Sequence, residues 1–226
     1  MATWTDFLNS LDDQHQICLV GPLLRHAHVP VMPTIYVDGG SDFRHNGGWA
    51  GHLHATENPG FKSSIPLISV GDGDSASGKL DEVLPAHKDY SDLAFVLRSL
   101  PPHIVAVEML GFLGERRDHE LANLGEVHAF LKTRTEFCRV EIHSVDQTVF
   151  AFARGAMTLD IQGTFSVMVL EPSAVRIEGA CEYTLAGDVV LSVASSHGLS
   201  NLGSGEVTVT SDQPCFVFLP RLIANP

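Results

Sequence analysis

The sequence predicts an α/β N-terminal domain, a mainly parallel sheet with flanking helices, followed by a small all-β sandwich domain. Three observations lead there. Apolar strand-like runs alternate with helical patterns over the first two-thirds of the chain, the order that builds a parallel sheet. No convincing helical pattern follows Glu141. In its place come short strand-like runs separated by Gly, Asp, Pro and Ser turns, as in a small sandwich. The change sets a boundary near residue 145, dividing an α/β domain, 1–145, from a β-sandwich domain, 146–226.

Taken in order, Gln16 to Val20, Thr34 to Val37, Pro66 to Val70 and Ile104 to Leu110 read as buried strands. Leu93, Val96, Leu97 and Leu100 fall at i, i+3, i+4 and i+7 and predict a helix. Leu121, Leu124, His128 and Leu131 predict the apolar stripe of the next one. Beyond the boundary, Thr148–Ala153, Phe165–Leu170, Ala174–Glu178, Val189–Val193, Glu206–Thr210 and Cys215–Leu219 read as strands. Val207 and Val209 alternate with Thr208 and Thr210, the period of a half-exposed antiparallel sheet. Phe43 to Ser64, rich in Gly, His and Asn, fits neither pattern and reads as a long loop.

The totals narrow the function classes. A net charge of −13 argues against a nucleic-acid or anionic-membrane surface. An anionic substrate then needs metal ions or a locally basic pocket. No stretch approaches the roughly 20 apolar residues of a membrane helix, and the first residues lack a signal-peptide pattern. Cys18, Cys138, Cys181 and Cys215 are widely spaced and fit reduced thiols in a cytoplasmic protein. His26-x-His28 and His52-x-His54 lack an evident third ligand and read as surface or loop histidines.

The chemistry gathers at strand ends. The third strand stops at Gly71-Asp72-Gly73-Asp74-Ser75. Residues i and i+2 point the same way there, so Asp72 and Asp74 can face one point, as oxygen ligands of a hard ion such as Mg²⁺. The same residues also suit an ordinary turn. Asp38-Gly39-Gly40 ends the second strand, and paired glycines let backbone approach a phosphate. Ahead of the Leu93 helix lies Lys88-Asp89-Tyr90-Ser91-Asp92. Ser91 or Asp92 can cap that helix, Lys88 can meet a phosphate, and Asp92 can join a metal cluster. After the fourth strand come Gly114-Glu115-Arg116-Arg117-Asp118-His119 and Asn123, where an arginine can grip phosphate oxygens. No Gly-x-x-x-x-Gly-Lys-Ser/Thr loop is present, which excludes an ordinary P-loop enzyme.

In this order the stretches resemble the thiamine pyrophosphokinase family. That family carries Asp-Gly-Gly, then Gly-Asp-x-Asp-Ser, Lys-Asp-x-Thr-Asp, and Gly-Gly-Arg-x-Asp-His with a following Asn. Its β-domain has a Ser-Asn loop, similar to Ser200-Asn201 here, and a Gly-x-x-Tyr region similar to Gly179 to Tyr183. Ser91 stands where the family has Thr, and Glu115 replaces the second glycine of Gly-Gly-Arg.

The resemblance implies transfer of pyrophosphate from ATP to the hydroxyl of thiamine, giving thiamine diphosphate and AMP. It implies Mg²⁺ as cofactor, held by Asp72, Asp74, Asp92 and Asp118, with Asp38 in or near its shell. It implies ATP binding by Asp38, Gly39, Gly40, Lys88, Ser91, Gly114, Arg116, Asp118, His119 and Asn123. Asp72, Asp74, Asp92, Lys88 and Arg116 then form the catalytic set, and Tyr183, Ser200 and Asn201 the thiamine site. A cytoplasmic homodimer sharing its active sites between subunits is also implied. The alternatives are a related pyrophosphokinase with another alcohol acceptor, such as a hydroxymethylpterin, and a catalytically weak thiamine-binding regulatory protein. A haloacid-dehalogenase-like phosphatase also uses two aspartates after a strand, but it leaves the companion stretches unexplained and wants Thr or Val where Ala76 stands.

Overall fold

The computed structural model describes residues 3–24, 29–45 and 65–220. The His26-x-His28 and His52-x-His54 pairs, and all of the Phe43–Ser64 stretch beyond His45, lie outside them. The chain divides into two compact units, residues 1–126 with 142–144 and residues 127–141 with 145–226.

The first unit is a mixed α/β domain. Helix α1 (Trp4–Asn9) opens it, begun by a capping box between Thr3 and Asp6. Strands β1 (Gln16–Val20), β2 (Thr34–Val37), β3 (Leu67–Gly71), β4 (Glu82–Val83) and β5 (Ala106–Leu110) then follow. They pair in parallel in the spatial order β5, β1, β2, β3, β4. β2 is buried along its whole length, as a central parallel strand must be. Cys18, Val20, Tyr36 and Leu110 form a core cluster at this sheet. Helix α2 (Ser41–His45) follows β2 after a tight 3-10 turn, Asp38–Gly40. Helix α3 (Asp92–Ser99) buries Leu93, Ala94, Val96 and Leu97. Strand β5 starts later than the Ile104–Leu110 apolar run, because Ile104 bonds back to Pro101 in a turn.

Helix α4 (Arg117–Lys132) corrects one expectation. Its buried residues are Val127, Phe130 and Leu131, while Leu121 is 70% exposed. The helix buries only its last two turns, so the stripe does not extend back to Leu121. Strand β6 (Arg139–His143) follows, a segment with no expected strand.

The second unit holds the last residues of α4 and is otherwise mainly antiparallel strand: β7 (Gln147–Phe152), β8 (Gly155–Val169), β9 (Ser173–Cys181), β10 (Leu185–Leu191), β11 (Asn201–Ser211) and β12 (Cys215–Pro220). Their order is β7, β12, β8, β11, β9, β10, consistent with a small sandwich. β8 is much longer than the Phe165–Leu170 run. Residues 155–165 pair with β11 and residues 166–169 with β12, so one strand serves two partners. Phe152, Phe165, Val175, Ile177, Val207 and Val217 pack into the core between them.

Candidate carboxylate site

The carboxyl ends of β2 and β3 carry the first part of the site. Asp38 follows β2 at φ +49, a left-handed backbone that aspartate tolerates better than most residues. Two glycines let the segments close. A Cβ on Gly40 would lie 2.1 Å from the Val20 carbonyl oxygen, and one on Gly71 would lie 2.8 Å from the Asp38 Cα. Gly40 thus serves backbone packing on β1, and Gly71 lets the end of β3 lie against Asp38. Gly39 is also enclosed, since its Cβ would approach Pro22 at 3.1 Å and the Ser75 carbonyl at 3.2 Å.

Asp38, Asp72 and Asp74 converge, each offering a carboxylate oxygen within 4.8 Å of the others. Gly73 turns the chain between the last two at φ +83. The Asp74 N–H donates to Asp72 Oδ1 at 3.3 Å, and the Ser75 hydroxyl to Asp74 Oδ1 at 2.9 Å. Asp38 Oδ1 is buried with no hydrogen-bond partner among the described residues. Burial raises the Asp38 carboxyl above its ordinary pKa, the negative charges of Asp92 and Asp74 add to that, and hydrogen bonds to Ser75 and the Gly39 backbone oppose it without prevailing. An all-oxygen donor set with a buried, unbonded oxygen fits a hard divalent cation such as Mg²⁺.

Lys88 lies beside this trio. Its Nζ is 2.7 Å from Asp72 Oδ2 and 2.9 Å from Asp92 Oδ1, and its side chain is only 7% exposed. Hydrogen bonding to Lys88 holds the Asp72 carboxyl below its ordinary range. Burial pulls the Lys88 ammonium down, but its bonds to Asp72 and Asp92 outweigh this and raise it. Asp92 therefore reaches the cluster through Lys88. The Ser91 hydroxyl accepts from the Ala94 N–H at 3.1 Å and caps α3.

The residues after β5 form a separate arrangement in the same unit. Arg116 pairs with Asp118 at 2.5 Å, both side chains 65% exposed, so neither is drawn into the carboxylate trio. Gly114 donates its N–H to Glu120 Oε1 at 2.6 Å, and Asn123 donates to the Phe112 carbonyl at 2.8 Å. These bonds shape the turn that leads into α4. Glu115 takes φ +64, a conformation glycine adopts freely, where the resembling family has glycine. His119 is exposed at the start of α4.

In the β unit, the Asn201 side chain is 5% exposed and fully engaged with backbone. Its Oδ1 accepts from Tyr183 N–H at 3.0 Å and Leu202 N–H at 2.8 Å, and its Nδ2 donates to the Tyr183 carbonyl at 2.6 Å. Ser200 takes φ +58 and donates its N–H to Ser166 Oγ at 3.0 Å. The Tyr183 ring is 60% exposed. Asn201 thus holds Tyr183 in place. Sequence reasoning does not foresee this, nor does it single out Asp42, Arg44, Ser69 and Asp81, which bond around the trio.

No family model matches the chain, and no curated protein matches its sequence. Solved structures do match. Thiamine pyrophosphokinase from Bacillus subtilis is 17% identical with a TM-score of 0.58, over 91% of this chain and 97% of that one. Thiamin pyrophosphokinase from Geobacillus thermodenitrificans is 18% identical with a TM-score of 0.61, over 92% and 99%. Thiamin pyrophosphokinase from Candida albicans is 12% identical with a TM-score of 0.62, over 95% and 90%. Across both units the chain has the fold of these enzymes, at sequence identities that speak for the fold alone.

Proposed function

We propose that this chain is a thiamine pyrophosphokinase, moving the β,γ-pyrophosphoryl group of ATP to the thiamine hydroxyl and releasing AMP. One observation carries the reading: Asp38, Asp72 and Asp74 converge at the carboxyl ends of parallel strands beside a lysine shared by Asp72 and Asp92. The fold common to pyrophosphokinases from several organisms supports it.

Asp38, Asp72 and Asp74 would hold Mg²⁺, which when bound neutralises phosphate charge. Lys88 would orient the phosphates as a point charge, kept protonated by Asp72 and Asp92. Arg116 would leave Asp118 to grip phosphate oxygens, a cheap exchange for an exposed pair. Asp118, with Gly39, Gly40, Gly114, His119 and Asn123, would then line the nucleotide site. As the thiamine oxygen bonds to the β-phosphorus, the bond to the α-phosphate oxygen breaks and AMP leaves with that electron pair. Asp92 would accept the hydroxyl proton. Such catalysis is mostly positioning and electrostatics.

Tyr183 would lay its exposed ring on the thiamine pyrimidine, with Asn201 fixing its backbone and Ser200 beside it. A cytoplasmic homodimer completes the reading.

The test is product analysis by mass after incubation with ATP, Mg²⁺ and thiamine. Thiamine diphosphate and AMP are expected. Thiamine monophosphate with ADP, or no thiamine product, would sink the proposal.

A further inference from the structure

Three carboxylates whose oxygens lie within 4.8 Å repel one another, and Lys88 pairs with only one of them. They also sit on two separate segments. Asp38 belongs to the turn that runs into α2, while Asp72 and Asp74 belong to the loop from β3 to β4. Beyond the hydrogen bond between Ser75 and the Asp38 carboxyl, bonds away from the carboxylates must help to hold the segments together.

The structure contains such bonds. Asp42, at the start of α2, accepts the Ser77 N–H at 2.8 Å through Oδ1. Arg44, on the same helix, pairs with Asp81 Oδ2 at 2.5 Å. That same oxygen accepts the Ser69 N–H at 3.0 Å and the Ser69 hydroxyl at 2.9 Å. The Asp81 N–H returns to Ser69, 3.0 Å from Oγ and 3.1 Å from the carbonyl oxygen. Asp81 therefore closes the base of the loop that carries Asp72 and Asp74. Asp42 and Arg44 fasten that closed loop to the segment that carries Asp38. The Arg44 and Asp81 side chains are 25% and 19% exposed, so solvent screens this pair less than a surface one.

We infer that Asp42, Arg44 and Asp81 are positioning residues that set the separation of Asp38 from Asp72 and Asp74. None of them belongs to the carboxylate trio itself. The inference rests on the reading of those three carboxylates as cation ligands. Groups that orient metal ligands in this way govern affinity through geometry rather than charge at the ion.

The experiment is Mn²⁺ titration of the full chain without nucleotide, read by the EPR signal of free Mn²⁺, alongside thermal midpoints of the same proteins. Arg44→Met and Asp81→Asn should each weaken Mn²⁺ binding about tenfold. The double variant should be no weaker than the worse single one, because both remove the same bond. Arg44→Lys should recover most of the affinity. Asp42→Ala, which releases the Ser77 amide and leaves the Arg44–Asp81 pair in place, is expected to weaken binding about fivefold. A bond that merely stabilises the fold would lower the thermal midpoint and leave the affinity of the folded protein unchanged. Variants that bind Mn²⁺ within about twofold of the wild type, a change of only about 0.4 kcal/mol, would overturn the inference alone. A wild-type chain that binds no Mn²⁺ would overturn the ligand reading itself, and the inference with it.

Discussion

The carboxylate site and the Tyr183–Asn201 corner both collect polar residues, but they use them in opposite ways. At the first, Asp38, Asp72 and Asp74 converge, one ammonium pairs with Asp72 and Asp92, and Asp38 keeps a buried oxygen with no hydrogen bond among the described residues. At the second, every polar atom of the Asn201 side chain is bonded to backbone. Concentrated charge with too little counter-charge signals a ligand, because the arrangement costs free energy until one arrives. A satisfied buried amide signals architecture. What remains available for binding at the second region is the exposed Tyr183 ring.

The largest expected effect comes from the charged side of this contrast. Asp72→Asn or Asp74→Asn should lower Mg²⁺-dependent AMP release in the presence of thiamine by about 10²-fold or more. Asp74 is exposed, so its variant should keep the wild-type thermal midpoint. Near-normal turnover in both variants would break the assignment of this region as the ligand site.

The second effect is smaller and falls on stability. Asn201→Ala removes two hydrogen bonds to the Tyr183 peptide groups and one to the Leu202 N–H, and should cost about 2 kcal/mol in urea unfolding. Tyr183→Ala should do the reverse: the midpoint holds while the KM for thiamine rises. Equal stability losses from the two variants would erase the distinction between scaffold and ring.

What was legible in the sequence follows the range of the interaction. The carboxylates are read easily because Asp72 and Asp74 sit two apart at the end of an apolar run. Lys88 lies in the loop four residues before Asp92, the first residue of α3, so the pair is close in sequence. Arg44 and Asp81 are 37 residues apart and belong to no periodic pattern, so only the fold reveals their pairing. Asn201 shows the same limit. Its place in a Ser-Asn pair suggests binding, while its partner, 18 residues away, decides its role. In β8, Met157, Leu159 and Ile161 do alternate with polar residues. Gly155 and Gly163 read as turn residues there, yet both sit within one continuous strand at φ +101 and +106. Asp118 suggests a further ligand by its place in the sequence, and three-dimensional spacing pairs it with Arg116.

The smallest effect concerns pH in the β unit. His128 stacks on Phe216, with its Nε2 3.2 Å from Glu171 Oε1 and Lys132 paired to the same carboxylate at 2.7 Å. Its Nδ1 is buried and has no hydrogen-bond partner among the described residues. Burial lowers the His128 pKa below 6.5, and Lys132 adds to this, while Glu171 opposes it without prevailing. The unfolded chain therefore binds a proton at a higher pH than the folded one. Stability from this site is present above the unfolded value of 6.5 and is lost as pH falls from there through the lower folded pKa. His128→Gln cannot titrate and should flatten the stability profile in that window, with the larger share of its effect below pH 6.5. Urea midpoints measured on both proteins across that range check it. A parallel offset at every pH would mean that His128 packs on Phe216 without its charge state mattering, in contrast to the carboxylate site, where like charges converge.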